Sequence, residues 1–121
     1  MRLDDLVLVT SNLNKVREAE AVLGLSLDHR ALDLPEIQSL DLAEVVRAKA
    51  SAAWKRIGRP VLVEDTGLEL LGLDGFPGPL VRWLLTSVGP GGIARVAHAF
   101  EDHRATARCL LCAFDGRVEY L

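Results

Sequence analysis

Apolar and polar positions along this chain follow two periods, and the changes between them mark out its elements. Leu6-Val7-Leu8-Val9 is an unbroken apolar run that stops at Thr10-Ser11-Asn12, the pattern of a strand buried on both faces. From Leu13 the spacing turns helical: Val16, Ala19, Val22 and Leu23 fall on one face, with Asn12 placed as an N-cap and Gly24 as a stop. A short extended piece is expected around Ala31-Leu32-Asp33-Leu34, ending at Pro35. A second helix is predicted over residues 42–57, with Asp41 and Glu44 spaced as a capping box and Gly58 and Pro60 beyond its end. Val61-Leu62-Val63 reads as another buried strand, closing with Glu64-Asp65 and a turn at Thr66-Gly67.

A loop through Gly72, Gly75, Pro77, Gly78 and Pro79 follows, then a helix over residues 80–88 that Gly89-Pro90 breaks, and another over 93–100. Residues 106–114 and 118–121 read as two strands joined by a two-residue hairpin turn at Asp115-Gly116. Strands alternating with helices imply an α/β fold with a mixed central sheet flanked by helices, parallel at first and antiparallel at the closing hairpin. Ligands of such sheets sit beyond the carboxyl ends of the strands.

Composition narrows the class. At 121 residues the chain suits a single domain, 1–121, and with half its residues hydrophobic and 26% charged it has the balance of a folded protein. The net charge is −3 and the 14 Lys and Arg residues are scattered, which argues against nucleic acid as a partner. No apolar run approaches the roughly 20 residues of a membrane span. The start Met1-Arg2-Leu3-Asp4-Asp5 lacks a signal-peptide pattern, so a cytoplasmic protein with no membrane partner is expected. Cys109 and Cys112 have CxxC spacing but fall on a strand, where positions three apart face opposite ways, and His29, His98 and His103 supply no further zinc ligands at a suitable spacing. Both thiols are expected to fill the core.

Candidate chemistry gathers at the strand ends. Thr10, Ser11, Asn12, Leu13, Asn14 and Lys15 lie between a buried strand and a helix start, where unpaired amides and the macrodipole attract anions. Lys15 occupies the position at which a capping box would carry Glu or Gln, so it suits either a phosphate shared with those amides or plain solvent. Lys49 falls within the apolar face of the second helix, among Leu42, Val45, Val46, Ala50, Ala53 and Ile57; it either snorkels outward or reaches a phosphate. Glu36 after one strand, and Glu64 and Asp65 after another, could serve a Mg²⁺ ion held on substrate phosphates, Asp65 being preferred for its place beside the turn. The ordinary fate of such acids is to solvate loop ends. Arg82, on the helix after the loop, either reaches a ligand or faces water. Asp65-Thr66-Gly67 also spells the aspartic-protease triplet, but a retropepsin-like protease is almost all strand, whereas this chain carries at least three marked helices.

Taken together these blocks resemble the inosine triphosphate pyrophosphatase (Ham1) family. Val9-Thr10-Ser11-Asn12 with Lys15 and Glu18 is similar to its opening T-G-N-x-x-K-x-x-E motif, Ser11 standing for the usual Gly. Asp33-Leu34-Pro35-Glu36-Ile37-Gln38, Lys49-Ala50, Pro60-Val61-Leu62-Val63-Glu64-Asp65-Thr66 and Gly75-Phe76-Pro77-Gly78-Pro79-Leu80-Val81-Arg82-Trp83 resemble the blocks that follow, in order. The resemblance implies an ITPase-like fold and hydrolysis of ITP, dITP and XTP to monophosphate and pyrophosphate with Mg²⁺, by a homodimer. It also implies that residues 10–15 and Lys49 hold phosphates, that Glu36 and Asp65 serve the metal, that Thr66 lies beside the nucleotide, and that Asp65 or Glu64 acts on water. Family chains continue into a lobe with an F-G-x-D block and a Ser-His-Arg block, absent here, so the chain is expected to be short of its C-terminal lobe. A nucleotide-binding module without activity is the alternative.

Overall fold

The computed structural model describes all residues, 1–121. Because β-branched and leucine side chains fill the first strand, it is buried along its length: β1, Val7–Val9, has every side chain inside. It pairs in parallel with β2, Asp28–Arg30, and with β3, Val61–Leu70, in register Val7↔Val61 and Leu8↔Leu62. β5, Ala105–Phe114, and β6, Glu119–Tyr120, continue the sheet in the order β2-β1-β3-β5-β6, with the short β4, Pro77–Gly78, antiparallel to β3. The sheet is therefore mixed, as expected, and three helices accompany it: α1, Leu13–Leu23; α2, Leu42–Ile57; and α3, Val81–His98.

The residues gather into two units. One comprises Met1–Glu36, Val46–Glu64 and Leu111–Leu121, the other Ile37–Val45 and Asp65–Leu110. In the first, Leu6 and Leu8 of the β1 segment meet Leu62 of β3, Val16 of α1 and Leu27 in one buried cluster, with Ala19, Leu23, Leu25 and Ala113 packed against it. Side chains alternate along a strand, so Val7, Val9, Val61 and Val63 point to the opposite face; they are buried too, as are Val46, Ala50 and Ala53 of α2. Each buried Val or Leu side chain contributes about 1.5–3 kcal/mol.

The helix signals hold. Asn12 caps α1, its side chain accepting from the Asn14 amide at 3.0 Å, and Gly24 ends it in the left-handed conformation at φ 70°. In the second unit the capping box before α2 is relayed: Asp41 Oδ1 accepts from the Ala43 amide, while the Glu44 carboxylate accepts from Ser39 Oγ, which itself accepts from the Asp41 amide. Gly89, at φ 70° and ψ 176°, breaks α3 where the sequence predicts a break.

Three expectations are corrected. The extended piece lies at Asp28–Arg30 rather than at 31–34. The chain does not turn at Thr66-Gly67, because β3 runs on to Leu70 and pairs Leu68↔Gly78 and Glu69↔Pro77. The closing connection spans residues 115–118 instead of two, held by the Asp115 carboxylate accepting from the Arg117 and Val118 amides at 2.9 and 2.8 Å, bonds that draw its pKa below the usual carboxylate value.

Gly67 marks a close approach of two backbones rather than a turn. A Cβ there would lie 3.0 Å from the Gly78 carbonyl carbon and 3.1 Å from its oxygen. Gly67→Ala is therefore expected to destabilise the protein by about 1–3 kcal/mol, as overpacking does. Urea unfolding checks this, and an unchanged midpoint would show that β4 is free to move away.

Candidate functional site

The first unit brings three of the expected residues together. After β1 the chain passes through Thr10, whose Oγ1 accepts from the Asn12 amide at 3.1 Å, and enters α1. Asn12 being the cap, Lys15 stands in the first helical turn, where the macrodipole disfavours a cation. Its ammonium forms an ion pair with the Glu64 carboxylate at the end of the buried Val61-Leu62-Val63 run. Lys49 comes from the apolar side of α2, and its Nζ donates to the Glu64 backbone carbonyl at 3.0 Å. One residue thus receives both lysines, through its side chain and its main chain.

Neither simple alternative for the lysines describes this. Lys15 is not merely solvated, its side chain being 39% exposed against 19% for Glu64, and Lys49 does not run outward to water. A charge among apolar neighbours needs an oxygen to hold, and for Lys49 the strand supplies it. Ser11, Asn12, Leu13 and Asn14 are exposed and ring the entrance to α1. The Asn14 amide donates to the Asn12 side chain, as an N-cap requires.

The other candidates lie elsewhere in the chain. Glu36 is exposed in the irregular segment before α2. Asp65, Thr66 and Arg82 belong to the second unit: Asp65 is half-buried, with Oδ1 accepting from the Thr66 amide at 2.8 Å, while Thr66 and Arg82 are exposed. Sequence reasoning missed Glu64 as the meeting point. Its only signal was adjacency to Asp65 on a strand, which says that one of the pair faces each way. In the second unit Trp83 Nε1 donates to Gln38 Oε1 at 2.9 Å, another pairing that no sequence spacing announces.

A model of the Ham1 family matches residues 6–121. The chain belongs to the Ham1 family. It is 40% identical over 114 residues to an inosine triphosphate pyrophosphatase of Tuber melanosporum, covering 92% of this chain and 61% of that protein. It is 45% identical over 106 residues to an inosine triphosphate pyrophosphatase of Aspergillus oryzae, covering 86% and 55%. An inosine triphosphate pyrophosphatase 2 of Trypanosoma cruzi is 42% identical over 123 residues, at 93% and 63%. This Ham1-family chain therefore spans between 55% and 63% of the length of those relatives.

Among solved structures, its fold is similar to that of a nucleoside-triphosphatase (dITP/XTP pyrophosphatase) of Mycobacterium abscessus, with a TM-score of 0.73 at 20% identity, covering 95% of this chain and 69% of that one. A HAM1 protein of Coxiella burnetii gives a TM-score of 0.67 at 24% identity, covering 91% and 62%. At these identities the likeness concerns the fold.

The CxxC pair is split by the strand. Cys112 is fully buried, whereas Cys109 is exposed, which corrects the expectation that both fill the core. No group of three or more His, Cys, Asp or Glu residues is arranged to hold a metal ion. Burial raises the Cys112 thiol above its usual value, with Glu119 adding to the shift and Arg47 opposing it. A raised pKa leaves the thiol protonated at neutral pH and slow to alkylate. Iodoacetamide at pH 7.5 is therefore expected to label Cys109 alone in the native protein, and Cys112 only after unfolding; peptide mass mapping distinguishes the two.

Proposed function

We propose that this chain hydrolyses ITP, dITP and XTP to the monophosphate and pyrophosphate. The observation that carries the reading is the convergence of Lys15 and Lys49 on Glu64, in a chain that belongs to the Ham1 family. The proteins it resembles at 40–45% identity are named inosine triphosphate pyrophosphatases. Two lysines brought to one residue of β3 provide the positive charge a polyphosphate needs, and preorganised charge of this kind stabilises what develops as pyrophosphate leaves.

Magnesium is the metal of this proposal. Its oxygen donors would be carboxylates, the donor type that a hard divalent ion takes before completing its shell with phosphate and water. Glu36 and Asp65 are the carboxylates the resemblance assigns to the ion. When bound, magnesium neutralises phosphate charge and polarises the phosphoryl oxygens. Lys15 and Lys49 hold the phosphates, with Thr10, Ser11, Asn12, Leu13 and Asn14 shaping the entrance. Thr66 and Arg82 are assigned to the nucleotide, and Asp65, ahead of Glu64, to orienting or deprotonating the attacking water. A homodimer working in the cytoplasm completes the reading.

The test is pyrophosphate release from ITP, dITP, XTP, ATP and GTP, with and without Mg²⁺. Turnover of the inosine and xanthosine nucleotides that needs Mg²⁺ and falls at least about 100-fold in Asp65→Asn is expected, the size typical of a lost acid–base group. Tight nucleotide binding without pyrophosphate release would instead make the chain a binding module.

A further inference from the structure

α2 buries Val46, Ala50 and Ala53, while a neighbouring side of the same helix, Ala48, Ser51 and Ala52, is only half-buried. Those three recur at helical spacing and, with the irregular Leu34-Pro35 segment, enclose a groove of about 490 Å³. Alanine and serine are too short to fill it. Lys55 and Arg56, one turn further along α2, complete its lining. The whole groove belongs to the first unit.

Its charge is of one sign, since no acidic side chain lines it. Lys55 is exposed and holds neither a hydrogen bond nor an ion pair. Arg56 donates from one terminal nitrogen to the Asp33 carbonyl at 3.4 Å, a long bond that leaves most of the guanidinium donors to water. The arginines on and just after α2 fare otherwise: Arg47 is paired with Glu119 at 2.7 Å and Arg59 with Asp28 at 2.9 Å. In a chain of net charge −3, two cations without a carboxylate therefore stand at the end of an apolar groove.

We infer that this groove binds a small amphipathic anion. An aromatic ring or short aliphatic chain lies against Leu34, Pro35, Ala48 and Ala52, and its carboxylate or phosphate meets Lys55 and Arg56. The volume suits such a molecule, binding clefts for small ligands running to about 300–1,000 Å³. Neither half of the ligand suffices by itself. An anion without the apolar part meets exposed cations, which hold little, and an apolar molecule without the charge leaves both cations unanswered. A ligand with its charge about 5 Å from its apolar body, one helical turn, gains from both. None of Lys15, Lys49 and Glu64 lines the groove, so the site stands whether or not the chain hydrolyses nucleotides.

The experiment follows backbone amide shifts of the whole chain by nuclear magnetic resonance during titration with naphthyl phosphate and with naphthoate. Naphthalenemethanol, which keeps the ring and lacks the charge, and inorganic phosphate, which lacks the ring, are the comparisons. The aromatic anions are expected to bind with a Kd on the order of 0.1–1 mM, as suits ligands of this size, and to move the amides of Ala48, Ser51, Ala52 and Lys55 most. Whichever of the two binds more tightly names the head group. The alcohol and the bare phosphate are expected to leave those amides in place at the same concentrations.

Lys55→Glu is expected to weaken both aromatic anions about fivefold, because the reversal removes one exposed attraction and adds one repulsion. Ala52→Leu, which occupies the groove, is expected to abolish the shifts. Thermal unfolding confirms that each variant is folded; were Ala52→Leu to fail, Lys55→Glu, at an exposed position, still decides. Shifts centred on other residues, equal binding of the alcohol, or an affinity indifferent to Lys55→Glu would overturn the assignment.

Discussion

A lysine on the apolar side of a helix is tolerable only where its ammonium finds an oxygen, and the candidate site depends on where that oxygen is. Lys49 sits among buried Val45, Val46, Ala50 and Ala53 and reaches the main-chain carbonyl of Glu64. That bond ties α2 to the end of the buried part of β3. With that part of β3 fixed, the Glu64 side chain is presented to the start of α1, where Lys15 waits in the turn least suited to a cation. Two locally unfavourable placements are thus relieved by one residue.

Burial makes this arrangement possible. Parallel strands covered on both faces leave their residues little freedom, and β1 and the first part of β3 meet that description through Val9 and Val63. Side chains along such strands are then set by the pleat rather than by flexible loops. Sites held on rigid elements keep their geometry better than sites on loops. The position of Glu64 is therefore a property of the core.

Much of this was legible in the chain itself, and the limits have physical causes. α1 and α2 were readable to the residue because their ends carry local chemistry, Asn12 and Gly24 in one case and Asp41 and Gly58 in the other. β2 was not, since Asp28, His29 and Arg30 are all exposed and show no hydrophobic pattern; only pairing with β1 makes them a strand. The turn signal of Thr66-Gly67 was overridden in the same way, by pairing with Pro77 and Gly78. Lys15 and Lys49 stood out as misplaced charges, which is a local property. That they share Glu64 is a tertiary fact, joining positions 15, 49 and 64 that no periodicity links.

Grasping one residue by both its main chain and its side chain from two different helices has a mechanical corollary. Any tilt of α1 or α2 on the sheet is translated into a displacement of the Glu64 carboxylate relative to its lysines. The residues that seat those helices, Val16 in one and Val46 in the other, are apolar and buried, yet they set the alignment of the site's charges. Packing defects deep in this chain should consequently surface first as a misalignment of these charges, before any loss of fold.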